Sequence, residues 1–74
     1  MSWQLQNRSN ERRQIDIYLP GSKKPQTKIV PPRTSVTIPG TAGTEVFDHQ
    51  TGRKLENPQG KNMYITPEGH IRLV

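Results

Sequence analysis

The stretch that decides the fold spans residues 14–20 and reads Gln14-Ile15-Asp16-Ile17-Tyr18-Leu19-Pro20. Apolar side chains at positions 15, 17 and 19 alternate with Gln, Asp and Tyr, which is the two-residue period of a half-buried strand. Isoleucine and tyrosine also favour extended backbone, and Pro20-Gly21 ends the run with a turn signal. We therefore interpret this stretch as the central strand of a small antiparallel β unit.

Short runs with the same alternation lie on both sides of this stretch. They occupy residues 3–6, 27–30, 34–38, 45–48, 53–55, 62–66 and 70–74. The turn at residues 49–52, with Gly52 in the left-handed position, and the turn at residues 67–69 each join two runs into a predicted hairpin. No stretch has the helical spacing of apolar residues. The sequence therefore predicts an all-β fold, either a small antiparallel sandwich or an open barrel of short strands and hairpins.

The length and composition describe one small domain with a limited core. We assign all 74 residues to a single β domain, of which 28% are hydrophobic, against about 45–50% apolar usage in ordinary domains. Small proteins with a weak core are usually stabilised by disulfides, a metal or oligomerisation. The chain has no cysteine, which excludes disulfides and thiolate metal sites. Association with other chains is the remedy that this composition leaves.

The residues that could carry catalysis are scattered. His49 follows Asp48, and an adjacent acid and imidazole can act as a general base, but no cysteine nucleophile and no serine elbow accompany them. His70 follows a glycine in a predicted turn, so both histidines are interpreted as turn or strand residues. We predict no enzymatic activity, no cofactor and no metal centre.

The charges are distributed unevenly along the chain, which carries a net charge of +5. Seven of the eleven basic residues fall in the first half, at positions 8, 12, 13, 23, 24, 28 and 33. This asymmetry suits an acidic protein neighbour or a nucleic acid. Small basic barrels bind single strands on aromatic platforms, so single-stranded nucleic acid is the alternative partner, although the four aromatic residues are dispersed.

The first half of the chain resembles a class of proteins. The residues that carry the resemblance are Leu5-Gln6-Asn7-Arg8-Ser9, Ile15-Asp16-Ile17-Tyr18-Leu19-Pro20, Ile29-Val30-Pro31-Pro32 and Ser35-Val36-Thr37-Ile38. This arrangement, over residues 3–38, is similar to small β-rich virion accessory proteins of tailed bacteriophages. That class attaches to the capsid surface, as decoration proteins, or to the neck or tail, and reinforces joints between larger subunits.

The resemblance implies a non-enzymatic structural protein of the virion, assembled in the host cytoplasm. Its expected partners are larger virion subunits and copies of itself. The mechanism that we expect is addition of exposed sheet edges to a neighbour's sheet. Candidate partner-binding residues are the apolar and aromatic anchors and the arginines of the first loop: Trp3, Arg8, Arg12, Arg13, Tyr18, Ile71 and Leu73.

Trp3 has two interpretations. It either caps the chain's own core or inserts into a partner, and we favour the partner because tryptophan is enriched at interface hot spots.

Two kinds of targeting segment are not predicted. No apolar run approaches the roughly 20 residues of a membrane span, so we expect no membrane partner. The first six residues, MSWQLQ, lack the basic and apolar regions of a secretory signal.

Overall fold

The protein consists of eight short strands and no helix in the residues that its structure, a computed structural model, describes, which are 2–40 and 42–74. The strands are β1 Ser2–Asn7, β2 Arg13–Tyr18, β3 Gln26–Val30, β4 Ser35–Pro39, β5 Thr44–Asp48, β6 Lys54–Asn57, β7 Met63–Ile65 and β8 Ile71–Leu73. The all-β class predicted from the sequence is confirmed. Each alternating run of the sequence corresponds to one of these strands.

The strands form two four-stranded sheets. Sheet 1 has the order β4-β1-β7-β8 and sheet 2 has the order β3-β2-β5-β6. The stretch at residues 14–20 supplies β2, which lies inside sheet 2 between β3 and β5. The interpretation of this stretch as an interior strand is therefore confirmed.

One pairing differs from the antiparallel pattern that the sequence predicts. β1 pairs parallel with β7, with Leu5 opposite Met63 and Asn7 opposite Ile65. Parallel strands need a long crossover connection, and here the connection includes all of sheet 2. The two strands are therefore joined by contacts far apart in sequence.

The core lies between the sheets, where the inward-facing side chains of both sheets meet. Of the residues that the structure describes, nine apolar ones are buried there: Trp3, Leu5, Ile15, Ile17, Val30, Ile38, Val46, Met63 and Ile65. The half-buried side chains of Val36, Leu55 and Ile71 pack against this cluster. The alternation that predicted the strands therefore also identified the residues that fill the core.

Polar side chains are buried at the ends of several strands. Asn7 ends β1, Arg13 begins β2, Thr44 begins β5, Asp48 ends β5 and Asn57 ends β6, and all five are less than 5% exposed. Buried polar groups are stable when they are hydrogen-bonded. Most of these side chains bind backbone in the adjoining loops, as in Asn57, whose amide and carbonyl groups bond the carbonyl oxygen and the N–H of Lys61 at 2.6 and 2.9 Å.

Candidate partner-binding site

In the described part of the chain, four strands have a hydrogen-bonded neighbour on one side only: β4 and β8 in sheet 1, and β3 and β6 in sheet 2. In an antiparallel pair, alternate residues direct their backbone N–H and C=O groups toward the partner strand, and the residues between them direct theirs away. Groups that point away from the sheet can pair with another chain. The observed backbone bonds show which residues these are.

The free edge of β3 is flanked by prolines. The His49 N–H donates to the Gln14 carbonyl oxygen at 3.0 Å, so Gln14 faces β5 and, by alternation, residues 13, 15 and 17 of β2 face β3. In β3 it is then Thr27 and Ile29 whose backbone N–H and C=O groups point to the free edge. Pro25 and Pro31 occupy the next positions of the same series. Proline has no N–H, so a strand added to this edge meets an available donor at two positions only.

The free edges of β4 and β6 also lead into a proline. In sheet 1 the Asn7 N–H donates to the Thr34 carbonyl oxygen at 2.9 Å. The backbone groups of Ser35 and Thr37 therefore point away from β1, and Pro39 occupies the next position of the same series. In sheet 2 the Asp48 N–H donates to the Arg53 carbonyl oxygen at 2.8 Å. The backbone groups of Lys54 and Glu56 therefore point away from β5, and Pro58 occupies the next position of the same series. Prolines at such positions are a means of discouraging edge-to-edge pairing.

The free edge of β8 has no proline. The Thr66 N–H donates to the His70 carbonyl oxygen at 2.8 Å, and the Val74 N–H donates to the Asn62 carbonyl oxygen at 2.9 Å. By alternation the backbone groups of Ile71 and Leu73 point away from β7. The side chains here are also accessible, because Leu73 is 39% and Val74 is 70% exposed. Among the edges of the described strands, β8 is the one whose outward-facing positions do not lead directly into a proline.

A row of polar side chains crosses the outer face of sheet 1 beside this edge. Gln6, Tyr64 and Arg72 lie opposite one another on β1, β7 and β8. The guanidinium of Arg8 stacks on the Tyr64 ring, with Cζ 3.9 Å from the ring centroid, and its Nε donates to Gln6 Oε1 at 2.7 Å. Cation–π contact and hydrogen bond together hold Arg8 over the sheet.

The described residues on this outer face include cations but no carboxylate side chain. The residues that alternate to it in the described part of sheet 1 are Ser2, Gln4, Gln6, Ser35, Thr37, Pro39, Tyr64 and Arg72. Gln4 Nε2 donates to Thr37 Oγ1 at 2.9 Å, which joins two of these strands. None of these described residues supplies a carboxylate side chain beside Arg8 or Arg72 on the face.

The structure brings three of the predicted partner-binding residues into one region and separates the others. Arg8 lies on the outer face of sheet 1, in the row that includes Arg72 of β8, and Ile71 and Leu73 form β8 itself. Arg12 is exposed in the loop between β1 and β2, where its carbonyl oxygen accepts a bond from Gln50 Nε2 at 3.3 Å. Tyr18 lies on sheet 2.

Trp3 and Arg13 are buried within the protein itself. Trp3 is 3% exposed and belongs to the core cluster, so of its two interpretations the structure shows the cap on the chain's own core. Its Nε1 has no hydrogen-bond partner among the described residues. Arg13 is 4% exposed and faces the Asp48 carboxylate, with 3.6 Å between Nη1 and Oδ2. These two side chains leave almost no surface for a partner in this structure.

Sequence reasoning missed Tyr64 and Arg72. The hairpin around residues 67–69 placed them opposite each other, and this signal was available in the sequence. The contact of Arg8 with Tyr64 depends on the parallel pairing of β1 with β7, for which the sequence contains no local signal.

A shallow groove lies on the outer face of sheet 2, away from β8. It has a volume of about 320 Å³ and is lined by Tyr18, Glu45, Phe47, Gly52 and Lys54. Two aromatic rings and two opposite charges share this groove. No ion pair links Glu45 with Lys54 in the described residues.

His49 contacts a different acid from the one adjacent to it in sequence. Its Nε2 lies 2.7 Å from Asp16 Oδ2, and its ring makes an edge contact with Phe47 at 5.4 Å. The Thr27 hydroxyl donates to Asp16 Oδ1 at 2.8 Å. Since the hydroxyl and the imidazole both bond the carboxylate and not each other, this row has no nucleophile–base contact. The two hydrogen bonds to Asp16 link β3, β2 and the end of β5.

The Asp16 carboxylate is stabilised in its charged form. The Thr27 hydrogen bond lowers its pKa, burial opposes this, and the hydrogen bond and charge of His49 lower it further, so that the pKa lies below its ordinary value. A lowered folded-state pKa contributes stability that is present above the unfolded value of about 3.9 and is lost as the pH falls through the folded pKa.

Replacing Thr27 with valine is expected to raise the pKa of Asp16 and to lower the free energy of unfolding at pH 7 by about 1 kcal/mol, because the bond to the charged group is lost. The difference from the wild type should disappear at a pH low enough to protonate the carboxylate in both the folded and the unfolded state. Carboxyl NMR titration and urea unfolding at the two pH values measure this. Thr27→Ser, which keeps the hydroxyl, is the control. An unchanged Asp16 pKa in Thr27→Val would contradict the assignment.

Two further kinds of site are absent from the described part of the chain. No three His, Asp or Glu side chains there are grouped so that they could hold a metal ion. No helix that could cross a bilayer occurs in residues 2–40 and 42–74.

Comparison of the chain with protein-family models, with curated proteins and with solved structures finds no significant match.

Proposed function

We propose that the protein is a non-enzymatic assembly component that joins larger subunits by accepting an extended segment of a partner at the free edge of β8. The bacteriophage virion, as decoration, neck or tail accessory, is the setting that the sequence resemblance implies. The observation that carries the proposal is the contrast between the edges. Those of β3, β4 and β6 each lead into proline, whereas that of β8 does not.

Strand addition suits the groups that β8 presents. Ile71 and Leu73 offer their backbone N–H and C=O groups outward, and main-chain bonds of this kind supply affinity when a segment joins a sheet. Leu73 and Val74 are the apolar side chains beside them that remain exposed. Covering them removes apolar surface from water, at about 25 cal/mol per Å². The edge therefore combines hydrogen-bonding and apolar contributions.

The charge of the chain favours an acidic partner. A net charge of +5 attracts acidic subunits and accelerates encounter. Arg8 lies on the face next to the edge, while Arg12 and Tyr18 lie in other regions of the surface and are available to a partner that wraps further around the molecule. Contacts with several neighbours are what a joint between subunits requires.

A photo-crosslinking residue at position 74 tests the proposal in cells that produce the native assembly. We expect it to crosslink to one larger subunit, because Val74 is exposed directly beside the β8 edge. The matched control is the same residue at position 37, which is exposed on β4 next to Pro39 and should give far less product. Mass spectrometry of the crosslinked peptides identifies the subunit. A protein that stays outside every large particle, with equal yields at both positions, would overturn the proposal.

Single-stranded nucleic acid is the second candidate partner, and the carboxylate-free outer face of sheet 1, with Arg8, Tyr64 and Arg72, favours it. Fluorescence anisotropy with a labelled oligonucleotide at several salt concentrations decides between the two. Binding whose logarithm falls linearly with log salt, and which weakens in Arg72→Gln but less in Lys23→Gln, would support a nucleic-acid site. No binding at low salt would remove this candidate.

A further inference from the structure

The chemistry around β8 also identifies the kind of segment that it accepts. We infer that the partner strand presents a carboxylate flanked by two apolar residues, in the order apolar–acidic–apolar. This inference rests on the proposed function, because it assumes that a strand adds at this edge. It follows from the side chains on the two faces of β8.

The acidic position is set by Arg72. Its side chain is on the outer face of sheet 1, opposite Tyr64, and Arg8 is stacked on that same ring. A residue that pairs with Arg72 on an added strand has its Cβ about 4.5–5.5 Å away, and opposite charges at this distance are favourable. Since the described outer-face residues include no carboxylate, the partner is the source of the negative charge.

The two flanking positions are set by Ile71 and Leu73. They alternate with Arg72, so that their side chains are directed to the inner side of sheet 1, where Ile71 packs against the core. In the other sheet, β6 contacts β8, and Leu55 of β6 is also half-buried against the core. Side chains of an added strand opposite Ile71 and Leu73 would enter this apolar surrounding and cover the exposed part of Leu73.

A second copy of the chain fits this edge poorly. An antiparallel pair about a two-fold axis that uses the outward groups of both Ile71 and Leu73 places each against the other, with Arg72 directly opposite Arg72 of the copy. Like charges directly opposite on neighbouring strands are destabilising. The charge of β8 therefore favours an acidic segment of another protein over self-pairing.

Two synthetic peptides test the inference: acetyl-Thr-Val-Glu-Val-Thr-amide and the same peptide with Lys in place of Glu. Titration into ¹⁵N-labelled protein at low salt, followed by NMR, should shift the amide signals of Ile71 and Leu73. We expect the Glu peptide to bind about tenfold more tightly than the Lys peptide, from the sum of one favourable and one unfavourable cross-strand pair.

Two variants separate the charge from the edge. Arg72→Glu should invert the order of affinity, so that the Lys peptide binds more tightly than the Glu peptide. It should leave the backbone groups at the β8 edge available. Leu73→Pro should abolish binding of both, because it adds to β8 the proline that the other edges have. The Leu73 N–H points away from β7, so this change removes no bond within the sheet. The amide spectrum of each variant shows whether it is folded, and Arg72→Glu serves as the test if Leu73→Pro is not.

The outcomes distinguish the inference from the proposed function. If the Glu and Lys peptides bind equally and Arg72→Glu changes neither, the acidic pattern is wrong while strand addition at β8 stands. If neither peptide shifts the Ile71 and Leu73 signals, the inference is overturned, and the crosslinks from position 74 then decide the proposed function separately. Concentration-dependent dimers that Leu73→Pro abolishes would show that a second copy occupies the edge, and would also overturn the inference.

Discussion

Replacing Arg13 with methionine is expected to lower the free energy of unfolding by about 3–5 kcal/mol, because it leaves a buried carboxylate without its counter-charge. Asp48 is fully buried, and its Oδ2 has no hydrogen-bond partner among the described residues. The guanidinium of Arg13, 3.6 Å away and 5% exposed at the side chain, is the charge that compensates it. A 74-residue protein has a total stability of about 4–11 kcal/mol, so the substitution should remove a large fraction of it.

The neighbouring arginine is the matched control. Arg12→Met makes the same chemical change one residue earlier, at an exposed position, and should alter the unfolding free energy by less than about 0.5 kcal/mol. The double variant Arg13→Met/Asp48→Leu removes both charges and should recover most of the loss. Urea unfolding followed by circular dichroism measures all three. Equal stability of Arg13→Met and Arg12→Met would show that Asp48 does not depend on Arg13.

Replacing Asn7 with alanine is expected to cost about 3 kcal/mol, the second largest effect. Asn7 is fully buried. Its Nδ2 donates to the carbonyl oxygens of Glu11, Val30 and Pro31 at 2.8, 3.1 and 3.2 Å. Its Oδ1 accepts from the N–H and the hydroxyl of Ser9 at 3.0 and 2.6 Å. Each buried group left unsatisfied costs about 1–3 kcal/mol, and water that enters the space recovers part of this.

Asn10→Ala is the control for this substitution. Asn10 is exposed and accepts one bond, from Arg33 Nε at 3.0 Å, so its replacement should cost less than about 0.5 kcal/mol. Hydrogen exchange gives a second measurement. In Asn7→Ala the Ser9 N–H loses its acceptor and should exchange much faster, whereas in Asn10→Ala it should not. A cost for Asn7→Ala as small as that for Asn10→Ala would contradict the role of Asn7 in holding the loop.

Buried polar side chains explain how a chain with few apolar residues forms a core. The small number of apolar side chains predicts that the chain needs association with other chains. The structure adds polar residues at strand ends, such as Asn7 and Asn57, which are buried because the adjoining loops satisfy their hydrogen bonds. Local sequence does not show this, since an asparagine next to a loop is usually an exposed turn residue. Whether association adds further stability stays a prediction.

The candidate site was predictable in part. Ile71 and Leu73 were identified because a hairpin pattern of alternating residues is a local signal. Trp3 was interpreted as a partner anchor because tryptophan is enriched at interface hot spots, but it is 3% exposed and belongs to the core cluster. Arg13 was read as one of a run of loop charges, although it begins β2 and points inward. Exposure of a charged residue next to a strand depends on register, which the residue itself does not reveal.

The role of the prolines also depends on the register of the strands. Their positions were readable as strand breaks, and the strands do end beside them. The hydrogen-bond register places four of them in the outward-facing series of an edge strand: Pro25, Pro31, Pro39 and Pro58. The sequence alone does not show this placement.

By itself, the sequence determined which residues are extended, which of their faces are apolar and where the turns lie, because alternation and turn chemistry are properties of neighbouring residues. The tertiary structure alone decided the order of the strands, the parallel pairing of β1 with β7, the burial of Arg13 and Asp48, and, among the described strands, which edge does not lead into a proline. These features depend on contacts between residues tens of positions apart, and a two-residue repeat is compatible with many such pairings.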